Sequence, residues 1–295
     1  MEKYDVIIIG KGPAGISTSL YTVRANLKTL IIGTDSSALA KTEKIDNYFG
    51  FANTISGKEL LNAGIMQAKR LGVDVCDEEV TSIEYGNPFV VKTVDNEYMG
   101  KAILIATGQP PRREAIPGIK EFEGRGVSYC TTCDGFFYKG KKVGVLGSGN
   151  YAIAEAMELL PFTKNITIYT NGKKLTLTEE FKNKIENFKI CEDEIISLKG
   201  DDGLDTIAFE SREEAIDGLF VASGTASSVD FAIKLGVSIE NNAIMIDKNQ
   251  ATNLEGIFAA GDCTGGFKQI ATAVGQGAMA GKSIIEYVRK NKWKP

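Results

Sequence analysis

The sequence predicts an α/β protein with two Rossmann-like nucleotide-binding domains, each a three-layer ββα/βαβ unit, the second inserted into the first. A glycine-rich turn occurs twice, as GKGPAG at residues 10–15 and as GSGNYA at residues 147–152. Each turn lies between a short apolar segment and a segment with helical character, as a β-turn-α unit requires. The apolar segments are continuous, which is typical of strands buried on both faces of a parallel sheet.

The first unit follows from the order of its predicted elements. Residues 4–10 (YDVIIIG) and 27–33 (LKTLIIG) are expected strands, and residues 14–25 between them are an expected helix. Residues 102–107 (AILIAT) predict a further buried strand. Two prolines in the segment 109–113 break any regular element, so we expect a linker there.

The same order recurs in the second half of the chain. Residues 142–147 and 165–170 predict strands around a helix at 150–160, and residues 218–223 predict another strand. A return linker is expected at 238–242, before a strand at 257–261 and a helix at 269–290. The predicted domains are therefore residues 1–111 together with 239–295, and residues 112–238.

Composition narrows the class of protein. The chain has 295 residues and a net charge of -4, which does not favour a nucleic-acid-binding surface. We find no apolar run of the roughly 18–20 residues that a membrane span needs, and the first residues lead directly into a strand, so we expect no signal peptide and a cytoplasmic location. The absence of histidine excludes histidine general bases, Ser-His and Cys-His nucleophile systems and most zinc sites.

The first glycine turn predicts a bound dinucleotide. Gly10 allows a tight turn, Gly12 lets the backbone approach a pyrophosphate, and Gly15 permits close packing of helix on strand. An ordinary turn that binds nothing is the alternative, but the strand before the turn and the helix after it favour binding. Gly33 stands where a ribose-binding carboxylate is usual, so Asp35 is the candidate for that role, or else a solvated turn residue.

A CxxC motif, Cys130-Thr-Thr-Cys133, lies just before the second glycine turn and is followed by Asp134. A zinc knuckle is an alternative that the sequence disfavours, because histidine is absent and the other three cysteines, Cys76, Cys191 and Cys263, are isolated. A second alternative to redox chemistry is that the two cysteines are buried, unreactive thiols. With no histidine present, the Asp134 carboxyl is the natural proton donor to a leaving thiolate, which favours redox chemistry.

These motifs together resemble the low-molecular-weight thioredoxin reductases, and the resemblance covers nearly the whole chain. It is carried by residues 10–15, 46–51 (DNYFGF), 106–108 (ATG), 116–118 (IPG), 130–135 (CTTCDG) and 261–263 (GDC). It implies FAD in the first domain, thioredoxin as substrate and a homodimer. It also implies that Cys130 attacks thioredoxin and that Cys133 faces the flavin. The implied cofactor-binding residues are Gly10, Gly12, Pro13, Ala14, Gly15, Asp35, Asn47, Val80, Ala106, Thr107, Gly108, Gly261, Asp262 and, at the flavin ring, Gln269, Ile270 and Ala271.

The second nucleotide unit departs from the family pattern. Family members that bind NADPH carry a His-Arg-Arg run after the second strand, whereas residues 169–175 here are YTNGKKL. Lysine does not reproduce bidentate phosphate recognition, and no carboxylate is present to hold an NAD ribose. Tyr151 replaces a small residue, and its bulk is expected to fill part of the nucleotide site.

This loss resembles the ferredoxin-dependent flavin thioredoxin reductases, so the expected electron donor is reduced ferredoxin, with weak or no binding of NADPH. An NADPH-dependent enzyme that uses Lys173 and Lys174 is the alternative, and a non-catalytic flavin-binding redox sensor is a further one. Because the two cysteines cannot easily serve a flavin and a protein partner in one pose, we also expect the inserted domain to rotate, with hinges near residues 112–114 and 238–240.

Overall fold

The computed structural model describes residues 1–34, 37, 39–108, 114–224 and 228–291, with only the backbone of Thr132. In these ranges the strands are β1 (Glu2–Ile9), β2 (Thr29–Ile32), β3 (Asp74–Cys76), β4 (Val80–Glu84), β5 (Phe89–Thr93), β6 (Glu97–Ile105), β7 (Val127–Ser128), β8 (Val143–Leu146), β9 (Ile166–Tyr169), β10 (Lys189–Cys191), β11 (Ser197–Lys199), β12 (Thr206–Ala208), β13 (Glu213–Ala215), β14 (Gly218–Val221), β15 (Ile239–Glu240), β16 (Ala243–Ile244) and β17 (Ile257–Ala259). The helices are α1 (Pro13–Arg24), α2 (Gly57–Arg70), α3 (Thr131–Asp134), α4 (Asn150–Leu159), α5 (Glu179–Lys184), α6 (Ser228–Leu235) and α7 (Ile270–Lys290).

The first unit is built on a sheet with the order β3-β2-β1-β6-β5-β4. Strands β3, β2, β1 and β6 run parallel, while β5 and β4 are antiparallel to their neighbours. The long strand β6 has two partners on one edge, since β5 pairs with its first part and β17 pairs in parallel with residues 103–105. The carboxyl ends of β1, β2, β6 and β17 therefore meet at one edge of the sheet, where ligands bind in such folds.

Helices α1, α2 and α7 cover one face of this sheet with an apolar core. Helices α1 and α7 approach each other very closely, because a Cβ on Gly277 would lie 2.3 Å from the carbonyl oxygen of Ala14. Hydroxyl groups reinforce the contact, since Ser17 Oγ donates to the oxygen of Val274 at 2.8 Å and Thr18 Oγ1 donates to that of Gly277 at 2.8 Å. This packing fixes the beginnings of both helices at the same end of the unit.

The second unit has a parallel sheet with the order β10-β9-β8-β14-β7. Every residue of β8, β9 and β14 is buried, as the continuous apolar segments predict. The antiparallel strands β11, β12 and β13 form a separate sheet. An apolar core joins the two sheets, with Tyr169 and Leu219 on one side and Ile207 and Phe209 on the other.

The predicted elements are confirmed, since both glycine turns join a strand to a helix and the strands and helices lie where the apolar segments place them. The boundaries between the units differ from the predicted ones by one residue at the first junction and by twelve at the second. The chain divides into residues 1–110 with 227–295, and residues 111–226. Helix α6 belongs with the first unit, because it packs against β4 and the β15–β16 hairpin. The sequence prediction had instead placed the point where the chain re-enters the first domain after residue 238. The expected hinge at 238–240 consequently falls inside the first unit.

Candidate active site

The first glycine turn needs glycine at two positions for packing and leaves space at the third. Gly10 has φ +119, and a Cβ there would lie 2.2 Å from the carbonyl oxygen of Ala106. A Cβ on Gly15 would lie 2.2 Å from the oxygen of Gly10. A Cβ on Gly12, in contrast, would meet nothing within 4 Å. The open side of Gly12 is the space that a pyrophosphate would need for close contact with the backbone.

Helix α1 begins at this open space. Gly12 is its N-cap residue and Pro13 its first residue, with no side-chain capping bond and no acidic residue in the first turn. Ala14 and Gly15 are buried behind the turn. The free amide groups and the positive end of the helix dipole favour an anion at this point.

The end of β6 contributes a buried polar atom without a partner. Ala106 is buried and its N–H donates to the oxygen of Ile9 at 2.8 Å, which aligns β6 with β1. The hydroxyl oxygen of Thr107 is buried and has no hydrogen-bond partner among the described residues. Gly108 follows with φ +76 and open space beside it. Since buried hydroxyl groups are usually hydrogen-bonded, Thr107 fits a site for a polar ligand.

The end of β17 lies close to the start of α1. Gly261 has φ +89, and a Cβ there would lie 3.1 Å from that of Ala14. Its N–H donates to Oε1 of Gln276 at 2.7 Å. The next residue, Asp262, is half-buried, and burial raises the pKa of its carboxyl, an effect that Lys268 partly offsets. The structure thus brings a desolvated carboxyl to the same edge of the sheet as the glycine turn.

A long-range hydrogen bond joins two more of the predicted cofactor-binding residues. Nδ2 of Asn47 donates to Oε1 of Gln269 at 2.9 Å. Gln269 is the N-cap residue of α7, and Ile270 and Ala271 form its partly exposed first turn. This turn has no acidic residue and no side-chain cap, so it is a second helix start that favours an electron-rich group.

Two of the predicted cofactor-binding residues are not shown beside the glycine turn and the start of α7. Val80 begins β4, which β5 separates from β6 in the sheet, and its side chain is 5% exposed. Asp35 lies outside the described residues. The remaining residues, with the space beside Gly12, the unpaired Thr107 hydroxyl and two uncapped helix starts, fit a bound dinucleotide such as FAD.

The dithiol is a disulfide in this structure. Cys130 and Cys133 are bonded with their Cα atoms 5.3 Å apart. Cys130 is the N-cap residue of α3, and the N–H of Cys133 donates to its sulfur at 3.1 Å. Cys130 is buried, at 2% exposure, while Cys133 is exposed. An attacking reductant therefore meets the sulfur of Cys133 first, and Cys130 is placed to leave as a thiolate stabilised at a helix start.

Asp134 is held beside the disulfide by backbone and side-chain contacts. Its N–H donates to the oxygen of Cys130 at 3.1 Å, and its Oδ2 accepts a hydrogen bond from Ser128 Oγ at 2.7 Å. On the opposite side of α3, the Thr131 hydroxyl donates to Oε2 of the buried Glu155 at 2.7 Å. The sequence analysis missed both Ser128 and Glu155. For Ser128, the only sequence signal was its position two residues before the CxxC motif. For Glu155, the local sequence gave no signal.

The second glycine turn is less open than the first. A Cβ on Gly147 would lie 2.2 Å from the oxygen of Ala222, which matches the packing of Gly10. A Cβ on Gly149 would lie 3.5 Å from the oxygen of Gly224, where Gly12 has free space. The turn is also bonded to the segment after β9. The N–H of Thr176 donates to the oxygen of Ser148 at 2.8 Å.

Further contacts hold that segment in place. The N–H of Thr178 donates to Oδ1 of Asn150 at 3.0 Å. Lys173 forms an ion pair with Glu114, and a Cβ on Gly172 would lie 3.9 Å from that of Glu194. In the segment after β9, one of the two candidate lysines is therefore already paired with a carboxylate. Tyr151 is 1% exposed, so its ring is packed inside the unit.

The other three cysteines are not arranged for chemistry. Cys263 is buried and donates to two backbone oxygens, and burial raises the pKa of its thiol to about 12. Burial likewise raises the pKa of Cys76 to about 11. Cys191 is buried, with Nη2 of Arg212 at 3.2 Å from its sulfur. In the part of the chain that the structure describes, no cluster of three or more metal-ligating residues is present.

Among the described residues, no helix has the length and apolar character to cross a membrane.

Comparison with known proteins agrees with this geometry. The model of the pyridine nucleotide-disulphide oxidoreductase family matches residues 4–277. A thioredoxin reductase of Bacillus subtilis (strain 168) is 37% identical over 302 residues, which cover 97% of this chain and 95% of that protein.

Two solved structures are similar along their whole length. The atypical thioredoxin reductase TRi from Desulfovibrio vulgaris Hildenborough is 43% identical with a TM-score of 0.94, covering 97% of this chain and 98% of that one. A ferredoxin-flavin thioredoxin reductase from Clostridium acetobutylicum is 29% identical with a TM-score of 0.74, covering 99% of this chain and 100% of that one. The chain therefore belongs to the pyridine nucleotide-disulphide oxidoreductase family and, within it, to the low-molecular-weight thioredoxin reductases.

Proposed function

We propose that this protein is a flavoprotein disulfide reductase that takes electrons from reduced ferredoxin and delivers them to thioredoxin. The electrons pass by way of FAD in the first unit and the Cys130–Cys133 disulfide in the second. One contrast carries the proposal: the glycine turn of the first unit is open at Gly12, while the corresponding position of the second unit, Gly149, faces the carbonyl oxygen of Gly224. The first turn thus has the space that a dinucleotide needs, whereas a carbonyl oxygen stands at ordinary contact distance from the same position of the second turn, and this contrast favours a dinucleotide in the first unit.

The first unit would hold FAD with groups that the structure brings together. The amides at the start of α1 would bind the pyrophosphate, and the hydroxyl of Thr107 would gain the hydrogen bond it lacks. Asp262 and the start of α7 would lie against the remainder of the cofactor, as the family resemblance implies. Bound there, FAD supplies a two-electron reductant for a disulfide. Roles for Asp35 and, through its backbone, Val80 remain proposals from the resemblance.

The chemistry at sulfur then follows from thiol–disulfide exchange. Two electrons and one proton convert the Cys130–Cys133 disulfide to a thiol and a thiolate. The thiolate of Cys130 attacks the disulfide of thioredoxin, and the leaving thiolate on thioredoxin takes a proton that Asp134 supplies. Cys133 then gives its proton to the Asp134 carboxylate and attacks Cys130 Sγ, and the bond between Cys130 and thioredoxin breaks. The departing thioredoxin sulfur takes that proton, and a proton from solvent restores Asp134. The internal disulfide is re-formed and thioredoxin leaves with two thiols.

The exposure of the two sulfurs supports the order of roles. Cys133 is the accessible residue of the disulfide, as an electron acceptor must be, and Cys130 is buried at 2% exposure. Cys130 has to become accessible before it attacks a partner protein. We propose that the inserted unit turns on its connections so that the dithiol can serve the flavin and thioredoxin in turn.

The NADPH-dependent alternative has less support. A 2′-phosphate after β9 would meet the Glu114 carboxylate, and Lys173 would have to leave its ion pair with Glu114. The similarity to the ferredoxin-flavin enzyme of Clostridium acetobutylicum favours the same donor. The similar proteins reported above are all reductases, which leaves the non-catalytic redox sensor without support. The homodimer and the cytoplasmic location are proposals that rest on the resemblance and on composition.

Anaerobic reduction of the FAD-loaded protein tests the donor. Reduced ferredoxin, NADPH and NADH are added separately at micromolar concentration, and the flavin absorbance is followed. We expect rapid bleaching with reduced ferredoxin and little or none with either nicotinamide. Rapid bleaching by NADPH would select the alternative enzyme. A disulfide that stays closed with every donor, measured by alkylation of Cys130 and Cys133, would select the sensor.

A further inference from the structure

Strand β2 ends without the carboxylate that a dinucleotide site commonly carries there. In such β-turn-α-β units, an acidic residue at the end of the second strand accepts a hydrogen bond from the 2′-hydroxyl of the adenosine ribose. Gly33 stands at this position, directly after β2. A Cβ on Gly33 would lie 3.1 Å from the backbone nitrogen of Lys11 and 3.2 Å from its Cγ. Lys11 therefore covers the place from which a side chain of β2 would reach the ribose.

The Lys11 side chain connects the first glycine turn to the strand next to β2. It is only 8% exposed, and its ammonium group forms an ion pair with the Asp77 carboxylate. Asp77 directly follows β3, which pairs in parallel with β2. The N–H of Gly33 donates to the oxygen of Cys76 at 3.1 Å, so the end of β2 is bonded to the residue before Asp77. An acidic side chain thus stands one strand away from the usual position, at the same edge of the sheet.

The Asp77 carboxylate has room to bind a ligand. Its side chain is 66% exposed, and the ion pair with Lys11 is made by Oδ1. An ionised carboxylate accepts hydrogen bonds at both of its oxygens, so Oδ2 can accept from a ligand hydroxyl while Lys11 holds Oδ1. Lys11 belongs to the same turn as Gly12, which is open on the side where a pyrophosphate would lie. This turn and the carboxylate it holds would therefore meet two neighbouring parts of one dinucleotide.

We propose that Asp77, held by Lys11, is the carboxylate that accepts the 2′-hydroxyl of the adenosine ribose in the dinucleotide site. Strand β3 thus supplies the group that β2 lacks. Asp77 is a specificity-determining residue that selects a ribonucleotide, and Lys11 is a positioning residue. The inference rests on the proposed function for the presence of FAD, and it is independent of the electron donor. The carboxylate expected from the sequence was Asp35, which lies outside the described residues.

A purely structural ion pair is the alternative explanation of the contact between Lys11 and Asp77. Affinity for FAD alone does not separate the two explanations, because a lysine beside the open Gly12 also attracts phosphate groups. Discrimination between a ribose and a deoxyribose does separate them. A site built to hydrogen-bond a hydroxyl rejects the analogue that lacks it, whereas an ion pair that only stabilises the fold affects both ligands equally.

The test compares ADP with 2′-deoxy-ADP, which differ only in the 2′-hydroxyl. Each is titrated into the FAD-free full-length protein by calorimetry, and only binding that FAD displaces is counted. The variants are Asp77→Ala, Lys11→Met and Asp35→Ala. Glu2→Ala is the matched control, because Glu2 forms an exposed ion pair with Lys28 at the start of β1, on the opposite edge of the same sheet.

We expect the unaltered protein and Glu2→Ala to bind ADP about tenfold more tightly than 2′-deoxy-ADP, as one hydrogen bond to a charged group predicts. In Asp77→Ala this preference should fall to about twofold or less. In Lys11→Met it should fall to an intermediate value, because Asp77 loses the partner that holds it, and in Asp35→Ala it should remain. An unaltered protein without the preference, an unchanged preference in Asp77→Ala, or a loss in Asp35→Ala alone would overturn the inference.

The inference and the proposed function fail in different ways. Because Asp77 is exposed, Asp77→Ala should unfold at the same temperature as the unaltered FAD-free protein. If it does not fold, Asp77→Asn keeps the size of the side chain, and its preference for ADP must also fall. A protein that binds neither FAD nor ADP would refute the proposed cofactor together with the inference. A protein that binds FAD and keeps its full preference for ADP in Asp77→Ala would refute the inference alone.

Discussion

Asn47 and Gln269 are 222 residues apart in the chain, yet Nδ2 of Asn47 donates a hydrogen bond of 2.9 Å to Oε1 of Gln269. The bond connects the loop before α2 to the N-cap residue of α7. It orients two amide side chains at the edge of the sheet where the glycine turn and Asp262 also lie. Both amides retain further donor and acceptor capacity, so a cofactor would meet groups that are already positioned.

Replacing either amide should weaken FAD binding. For Asn47→Ala and Gln269→Ala we expect the dissociation constant of FAD to rise by roughly two- to tenfold each, the usual range for one hydrogen bond. In the double variant, the loss of binding free energy should be smaller than the sum of the two single losses. Each single replacement also removes the hydrogen bond that holds the other amide in place. Flavin fluorescence measures the binding. Asn249→Ala, in an exposed turn, is the control, and unchanged binding in both single variants would contradict the assignment.

Two glycines of one turn should respond in opposite ways. Gly10→Ala places a Cβ 2.2 Å from the oxygen of Ala106 at φ +119, so we expect it to destabilise the FAD-free protein by about 2 kcal/mol or more. Gly12→Ala enters free space at an ordinary φ of -82, so it should keep its stability and lose FAD affinity by tenfold or more, by roughly 1.4 kcal/mol or more.

Thermal unfolding and FAD titration separate these effects. The control is Gly149→Ala in the second turn, which should leave FAD affinity unchanged. If Gly12→Ala binds FAD like the unaltered protein, the pyrophosphate does not lie at this turn.

Asp262→Asn should stabilise the FAD-free protein near neutral pH. Burial raises the pKa of this carboxyl in the folded state, so the folded protein binds more protons than the unfolded chain between the two pKa values. Stability is therefore lost as pH rises from about 3.9, the ordinary value, through the raised one. The variant, which does not ionise, should unfold about 2–4 °C higher at neutral pH, and the difference should vanish in acid. A lower unfolding temperature at neutral pH would contradict the prediction.

Thiol reactivity should single out the dithiol. With the thiol pKa of Cys76 raised to about 11 and that of Cys263 to about 12, both remain protonated near pH 8, and the thiolate is the reactive form. After reduction with dithiothreitol, iodoacetamide at that pH should label Cys133, the exposed cysteine of the dithiol, at least about tenfold faster than Cys76 or Cys263. Peptide mass spectrometry measures the order. Equal labelling of Cys263 would show that its site opens readily.

Local patterns were sufficient to predict the elements that surround both turns. The buried runs of β1, β2, β8 and β9 and the glycines between strand and helix are short-range signals, and the structure confirms them. The position of α6 is different, because only its contacts with β4 and the β15–β16 hairpin assign it to the first unit. Such contacts join residues far apart in the chain, and no composition change marks them.

The same limit applies at the site. The two glycine turns are nearly equivalent as sequences, and the signs that the second had changed were the missing arginines and carboxylate after β9 and the bulky Tyr151. The oxygen of Gly224 beside Gly149 and the bond from Thr178 to Asn150 depend on tertiary packing. Ser128 was missed because serine at a strand end has many ordinary roles, and its contact with Asp134 arises only when α3 folds back on β7.

Electron transfer to thioredoxin under strict anaerobiosis tests the central claim most directly. The FAD-loaded protein is mixed with oxidised thioredoxin and reduced ferredoxin, and the thiols of thioredoxin are alkylated and counted. We predict two new thiols on thioredoxin, none when Cys130→Ser replaces the unaltered protein, and none when NADPH replaces ferredoxin. Thioredoxin that stays oxidised with ferredoxin, or that is reduced equally well by NADPH, would contradict the account.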